Sequence, residues 1–194
     1  MLSRRLERIH ERIREACRRA GRPADSVTLI GVTKGVPVEM IRQALSLGLR
    51  EFGENRVQEA RAKQAVLGSR FKVQGSPLVR WHLIGHLQSN KAKPAVELFE
   101  TIHSVDSLEL IQVLERQAQR VAKAVEVFIQ VNVSGETTKF GCCPNEVPIL
   151  IDALRGCRQL TLAGLMTLAP FSESPEEARP HFRKLRELRY ALAR

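Results

Sequence analysis

The stretch Val27-Thr28-Leu29-Ile30-Gly31-Val32-Thr33-Lys34, followed by Gly35-Val36-Pro37-Val38-Glu39, decides how the rest of the chain is read. Its apolar run carries Val and Ile among short residues and is bounded by turn chemistry, which reads as a buried parallel strand. The residues after it read as a helix start, with Pro37 suited to the first helical position. Lys34 therefore stands at the carboxyl end of a strand, where α/β proteins gather their functional groups. By position alone such a lysine is an ordinary solvated charge leaving the core. The remainder of the chain changes that balance.

Downstream, one pattern repeats: an apolar strand ending in a small or polar residue, then a helix of roughly ten to eighteen residues. The second strand is Arg50-Glu51-Phe52-Gly53-Glu54-Asn55, with a helix from about Val57 to Ala65. The third is Val79 to His86, and the fourth Thr101-Ile102-His103-Ser104-Val105, with Asp106 or Ser107 opening a helix along Leu108, Ile111 and Leu114. Val125 to Val133 is the clearest strand, and a loop from Ser134 to Pro144 separates it from a helix carrying Ile149, Ile151 and Leu154. The sixth strand is Leu162 to Leu168, and Ser174-Pro175-Glu176-Glu177 reads as a capping box opening the last helix. An amphipathic helix precedes all of this, with Leu2, Leu6, Ile9, Ile13 and Cys17 at helical spacing, stopped by Gly21 and Pro23.

Uninterrupted strand–helix alternation points to an α/β fold, either a doubly wound sheet or a (β/α) TIM-type barrel. The barrel is preferred, because Gly31-Val32-Thr33-Lys34-Gly35 is not a glycine-rich phosphate fingerprint. About six of the eight βα units that closure needs are present, at roughly 30 residues each. A chain of 194 residues is expected to form one domain, residues 1–194, with a C-terminally incomplete barrel.

Composition excludes several functions. No apolar stretch approaches the ~18 residues of a bilayer span. The N-terminus lacks a secretory core, and Glu7, Glu11 and Glu15 among its arginines do not suit a transit peptide. A cytoplasmic protein without membrane attachment is expected. Cys17, Cys142, Cys143 and Cys157 show no zinc spacing, so free thiols are expected rather than a metal site. The net charge of +10 raises nucleic-acid binding, but the arginines of the first helix alternate with glutamates and aromatics make up only 5% of the chain. A basic surface able to attract anionic or phosphorylated small ligands is the better account, with no nucleic acid as partner.

In a barrel, strand ends converge, bringing Lys34, Asn55, His86, Asp106, Asn132 and Met166/Thr167 toward one mouth. His82, Ile84 and His86 share one face of the third strand, and Gln130 and Asn132 one face of the fifth. Polar side chains repeating inside apolar strands need hydrogen-bond partners. For Gln130, bonding to loop backbone is as good an account as a ligand role, and His82 reads as a satisfied core histidine rather than an acid–base group. A lysine in such a mouth becomes nucleophilic when burial or a neighbouring cation favours its neutral form, and it then captures an aldehyde.

Several strings then match a known pattern: Leu29 to Lys34, Phe52-Gly53-Glu54-Asn55-Arg56-Val57-Gln58-Glu59, Trp81 to Lys91 with Gln88-Ser89-Asn90-Lys91, His103-Ser104-Val105-Asp106-Ser107, Gln130-Val131-Asn132-Val133 followed by Lys139-Phe140-Gly141, and Gly164-Leu165-Met166. Together they resemble the pyridoxal phosphate homeostasis protein family, in the family's order from the first helix to the last residue. The resemblance implies a barrel of the fold-type III class, like the N-terminal domain of alanine racemase. It also implies pyridoxal 5′-phosphate (PLP) held on Lys34 as a Schiff base, with Asn55 and Met166 lining the cofactor pocket. Members buffer the cofactor without robust catalysis. PLP and apo PLP-dependent enzymes are the implied partners, and a monomer is expected.

The sequence departs from that family where its members continue with a Ser-x-Gly-Met-Ser strand and an Arg-Ile-Gly strand, which supply most phosphate contacts. Thr33 and Gly35 also replace the usual Ser and Thr beside the lysine. Two alternatives stay open: an amino-acid racemase, for which Tyr190 is the only tyrosine available as a second acid–base group, and a truncated member with impaired PLP binding.

Overall fold

A computed structural model of the chain describes residues 1–67, 72–73, 76–77 and 79–193. Six strands form one sheet: β1 (Gly31–Val32), β2 (Glu51–Glu54), β3 (Arg80–Leu83), β4 (Thr101–Val105), β5 (Val125–Gln130) and β6 (Leu160–Met166). Their spatial order equals their sequence order, and every neighbouring pair is parallel. A doubly wound sheet would reverse that order at a switch point. This one does not. The arrangement is that of a barrel wall, left open between β1 and β6. Lys72–Val73 and Ser76–Pro77 make a separate two-residue antiparallel ribbon.

The helices are α1 (Leu2–Arg19), α2 (Val38–Ser46), α3 (Val57–Leu67), α4 (Ala92–Leu98), α5 (Leu108–Arg120), α6 (Val147–Arg155) and α7 (Pro175–Leu192). From α2 to α6, consecutive helices touch one another, so they form a continuous layer on one side of the sheet. Strand parity explains why. In β5, Val125, Val127 and Ile129 are buried on the helix side, while Glu126, Phe128 and Gln130 alternate onto the other. Phe52, Leu83 and Ile102 continue the apolar face and pack with Ile41, Ala60, Val96, Ile111, Leu114 and Val147. Burying each large aliphatic or aromatic side chain in this layer contributes about 1.5–3 kcal/mol.

Two polar devices fix the frame. The Ser107 hydroxyl caps α5 by accepting the Leu110 N–H at 3.3 Å. The Glu115 carboxylate, on the same helix, accepts N–H bonds from Arg158 (2.9 Å), Gln159 (3.2 Å) and Leu160 (3.1 Å), tying the start of β6 to α5.

The structure corrects several sequence expectations. The strand leading to Lys34 is ordered as β only at Gly31–Val32, and Val27, Thr28 and Val32 are exposed rather than buried. As an edge strand, it has a ladder partner on one side only, and pairing is confined to Gly31↔Phe52 and Val32↔Gly53. The expected capping box of α7 is not formed: Ser174 is the N-cap, but its side chain caps nothing. In α6 the core face runs through Val147, Leu150 and Leu154, leaving Ile149 exposed. Only Cys17 of the α1 stripe is buried.

Candidate cofactor site at the strand ends

Lys34 follows β1 on a tight turn. The Val36 N–H donates to the Thr33 carbonyl at 2.8 Å, and Gly35 sits at φ +67°. Lys34 itself has negative φ, so the turn is of the type that needs glycine at its third position. The Thr33 N–H continues the ladder by bonding the Gly53 carbonyl at 2.9 Å, and its hydroxyl donates to Glu54 Oε1 at 2.6 Å. By register, Lys34 then lies level with Asn55 at the ends of adjacent strands. Lys34 is exposed, and among the described residues its amine makes no hydrogen bond or ion pair. The enclosure that the sequence reading invoked is therefore not present around it, because β1 borders the open side of the wall.

Asn55 is half-buried beside β3. A Cβ on Gly85 would lie 2.3 Å from the Asn55 carbonyl oxygen, so only glycine lets the two strand ends approach this closely. Asn55 borders a cavity of about 300 Å³ with Arg56, Gln58, His86, Gln88 and Lys91. Two cationic side chains and several amides make it suited to polar, anionic matter.

His86 and Asp106 come together as expected, with His86 Nδ1 at 3.9 Å from Asp106 Oδ2. Burial pushes the Asp106 carboxyl above its usual range, while His86 and the Gly141 N–H pull the other way. The loop after β5 folds back onto this pair, and Phe140 stacks on the His86 ring at 3.8 Å between centroids and 10° between planes. Gln130 Nε2 donates to the Phe140 carbonyl at 3.2 Å, which settles Gln130 as a loop anchor. Asn132 is likewise spent on its own loop: Oδ1 accepts from Ser134 Oγ (3.1 Å) and the Gly135 N–H (3.0 Å), and Nδ2 donates to the Glu136 carbonyl (2.8 Å). It stands at the strand end where the sequence places it, with its amide spent on the loop.

Met166 ends β6, half-buried and paired with Gln130, and its carbonyl accepts the Val131 N–H at 2.8 Å. The Thr167 hydroxyl donates to the Val131 carbonyl at 2.8 Å. Both therefore stand on the rim, five strands away from Lys34 along the sheet. Cys142 is buried and its thiol is pushed up to about 12, first by burial and then by the carboxylates of Glu146 and Asp106. It is an inert thiol at neutral pH.

Below the mouth, the inner face carries a polar layer only partly foreseen. His82 Nε2 lies 2.6 Å from Glu51 Oε2, and His82 Nδ1 lies 2.9 Å from His103 Nε2. With His82 neutral, its single N–H goes to Glu51 and His103 must donate to it. His103 stacks on Phe128 at 4.5 Å, and burial, helped by His82, holds its pKa down at about 4. Arg80 joins Glu126 at 2.5 Å and approaches Glu51 at 3.7 Å. His82 is thus a satisfied core histidine, as its strand position suggested.

Sequence reasoning missed Lys63, and it quoted Glu54 and Glu59 within a family string without giving either a role. Lys63 Nζ donates to the Thr33 carbonyl and to Glu54 Oε1, both at 2.5 Å, and Glu59 Oε2 accepts the Gly35 N–H at 3.3 Å. Glu59 and Lys63 are four residues apart on α3, a spacing that local sequence does not distinguish from a solvated surface pair.

A parallel sheet in sequence order, with a lysine just after its first strand, defines the class of α/β folds built like the N-terminal domain of alanine racemase. The family pattern described as "Alanine racemase, N-terminal domain" matches residues 5–194. An alanine racemase from Clostridium difficile shares the fold at a TM-score of 0.66 and 15% identity, over 86% of this chain and 44% of that one.

Nearer relatives are more specific. The "Pyridoxal phosphate homeostasis protein" of Aquifex aeolicus is 41% identical over 190 residues, covering 98% of this chain and 80% of its own. That of Pseudomonas aeruginosa is 42% identical over 185 residues, covering 94% and 76%. The structure of PipY from Synechococcus elongatus with PLP bound matches at a TM-score of 0.78 and 39% identity, over 95% of this chain and 81% of that one. The chain belongs to the pyridoxal phosphate homeostasis protein family.

Proposed function

We propose that this protein binds PLP through Lys34 and holds it in reserve for cellular PLP-dependent apo-enzymes, rather than turning over a substrate of its own. The observation that carries the reading is the placement of Lys34. Its amine is unengaged among the described residues, at a strand end, on a turn fixed on both sides. A pinned backbone beneath an uncommitted amine is what capture of an aldehyde requires.

When bound, PLP supplies an aldehyde carbon for the amine, a flat ring and a phosphate dianion. The residues present suit the first of these. Lys34 offers the nitrogen, Asn55 stands on the adjacent strand end as a wall for the ring, and Met166 stands on the rim at the other edge of the sheet. His86 is stacked on Phe140 and faces Asp106 at 3.9 Å, which fixes its ring at the mouth. The cations Arg56 and Lys91, bordering the cavity beside Asn55, attract an anionic ligand toward this end of the sheet.

Racemisation is not favoured. It needs acid–base groups on both faces of the substrate carbon, and Tyr190 is an exposed residue on α7 with Arg189 stacked on its ring. Sustained production of D-alanine from L-alanine in the presence of PLP would overturn this ranking. We read the protein as a cytoplasmic, monomeric carrier; its four cysteines are free, as in reducing compartments.

The test is incubation of the purified protein with PLP, reduction with borohydride and peptide mapping. The pyridoxyl group is expected on the peptide containing Lys34. Labelling spread over surface lysines without preference for Lys34 would sink the reading.

A further inference from the structure

We infer that Lys63 and Glu59 of α3, acting with Glu54 of β2, are positioning residues that clamp the peptide groups on either side of Lys34. The inference rests on the PLP-binding reading of Lys34 and adds to it the parts that aim the amine.

The clamp has two jaws from one helix. Lys63, whose side chain is only 12% exposed, donates to the Thr33 carbonyl, the peptide oxygen immediately before Lys34. Four residues earlier on the same helix, Glu59 accepts the N–H of Gly35, the peptide immediately after it. The two side chains also face each other at 3.6 Å, so each holds the other in place. The Gly35 N–H, with Lys63 adding to it, holds the Glu59 carboxyl below its usual range.

Glu54 locks this pair into the wall. Its side chain is fully buried, and Oε1 receives both the Thr33 hydroxyl at 2.6 Å and the Lys63 ammonium at 2.5 Å. A carboxylate at that depth is tolerated only with a cation and donors around it. Lys63 is thus fixed by a buried partner, and the turn is fixed by Lys63. A surface ion pair would be worth little and would aim nothing. Charge-assisted bonds to main-chain groups on both sides of one residue restrict its backbone instead. The glycine turn matters for the same reason: Gly35, at positive φ, is a flexible point that the Glu59 bond restrains.

The test combines amide hydrogen exchange with PLP labelling on four variants: Lys63→Met, Glu59→Gln, Lys63→Arg and the double variant Lys63→Met/Glu54→Gln. The double variant removes the buried carboxylate together with its cation, and carries the test if Lys63→Met does not fold. Exchange at Gly35 and Val36 should accelerate about tenfold in Lys63→Met and Glu59→Gln, as expected for losing a bond to a charged group. Exchange at Val127 and Ile129 should stay unchanged, and the rate of borohydride-trapped labelling at Lys34 should fall in parallel. Lys63→Arg should restore both.

Unchanged exchange at Gly35 and Val36 overturns the inference. So does acceleration spread evenly over β5, which marks Lys63 as a general stabiliser. Local acceleration in the variants while the wild type shows no preferential labelling at Lys34 overturns the PLP reading itself, leaving the clamp as a turn anchor.

Discussion

The inner face of the sheet has two levels that use polar residues in opposite ways. On the lower level, Glu51, His82 and His103 consume one another's hydrogen-bonding capacity, and Arg80 and Glu126 close the rim. On the upper level, Lys34 has a fixed backbone and an uncommitted amine, and the cavity beside Asn55 gathers Arg56 and Lys91. Depth in the wall accounts for the difference. Polar groups between strands lose water and must pair internally, whereas groups at strand ends keep access to solvent and to ligands. The same residue types build structure below and offer chemistry above.

Substitution at each level should therefore fail in a different manner. Lys34→Ala is expected to abolish pyridoxyl labelling of its peptide while leaving urea stability within about 0.5 kcal/mol of wild type, as for exposed positions. A loss of stability similar to that of a core variant would erase the distinction between the levels. His82→Ala should do the reverse. It strands Glu51 and the His103 donor and should cost about 2 kcal/mol in urea unfolding, with labelling at Lys34 retained.

The lower level also predicts a pH dependence. Burial and His82 depress the folded-state pKa of His103 to about 4, from its ordinary 6.5. Below the unfolded value, the unfolded chain binds a proton that folded His103 refuses. Stability should therefore fall as pH drops from 6.5 toward 4 and gain nothing from this group above 6.5. His103→Gln should flatten that part of the stability profile, measured by thermal unfolding across the window. An unaltered slope would assign the acid sensitivity to other groups.

Phe140→Ala should have the smallest effect. The stacked His86–Phe140 pair is half exposed, so its loss should cost about 0.5 kcal/mol. The loop after β5 should then become more readily cleaved by protease. Cleavage at the wild-type rate would show that Gln130 and Asn132 hold the loop unaided.

Much of the fold was legible because strand and helix periods alternate so regularly. β5 announces itself through Val125, Val127 and Ile129, and α5 through Ser107 followed by Ile111 and Leu114, although Leu108, read as part of the same stripe, is exposed and Leu110 is buried in its place. The site was legible in part. Lys34, Asn55 and Met166 could be placed at strand ends, and His86 meets Asp106 as strand convergence suggests. Asn132 stands at its strand end as placed, and an Asx turn consumes its side chain within its own loop; local sequence does not distinguish a ligand-facing amide from a loop-building one. Lys63 escaped notice because its partners, Thr33 and Glu54, lie 30 and 9 residues away.

Sequence alone settled the order of the strand–helix units and the lysine after the first strand, since these follow from periodicity and turn chemistry within short windows. Tertiary structure decided which polar groups are spent and which are spare. It also decided that Lys34 stands at an exposed edge, and that its turn is clamped from α3. Those outcomes depend on register between distant strands and on helix packing, where hydrogen-bond partners are chosen by proximity in space rather than along the chain.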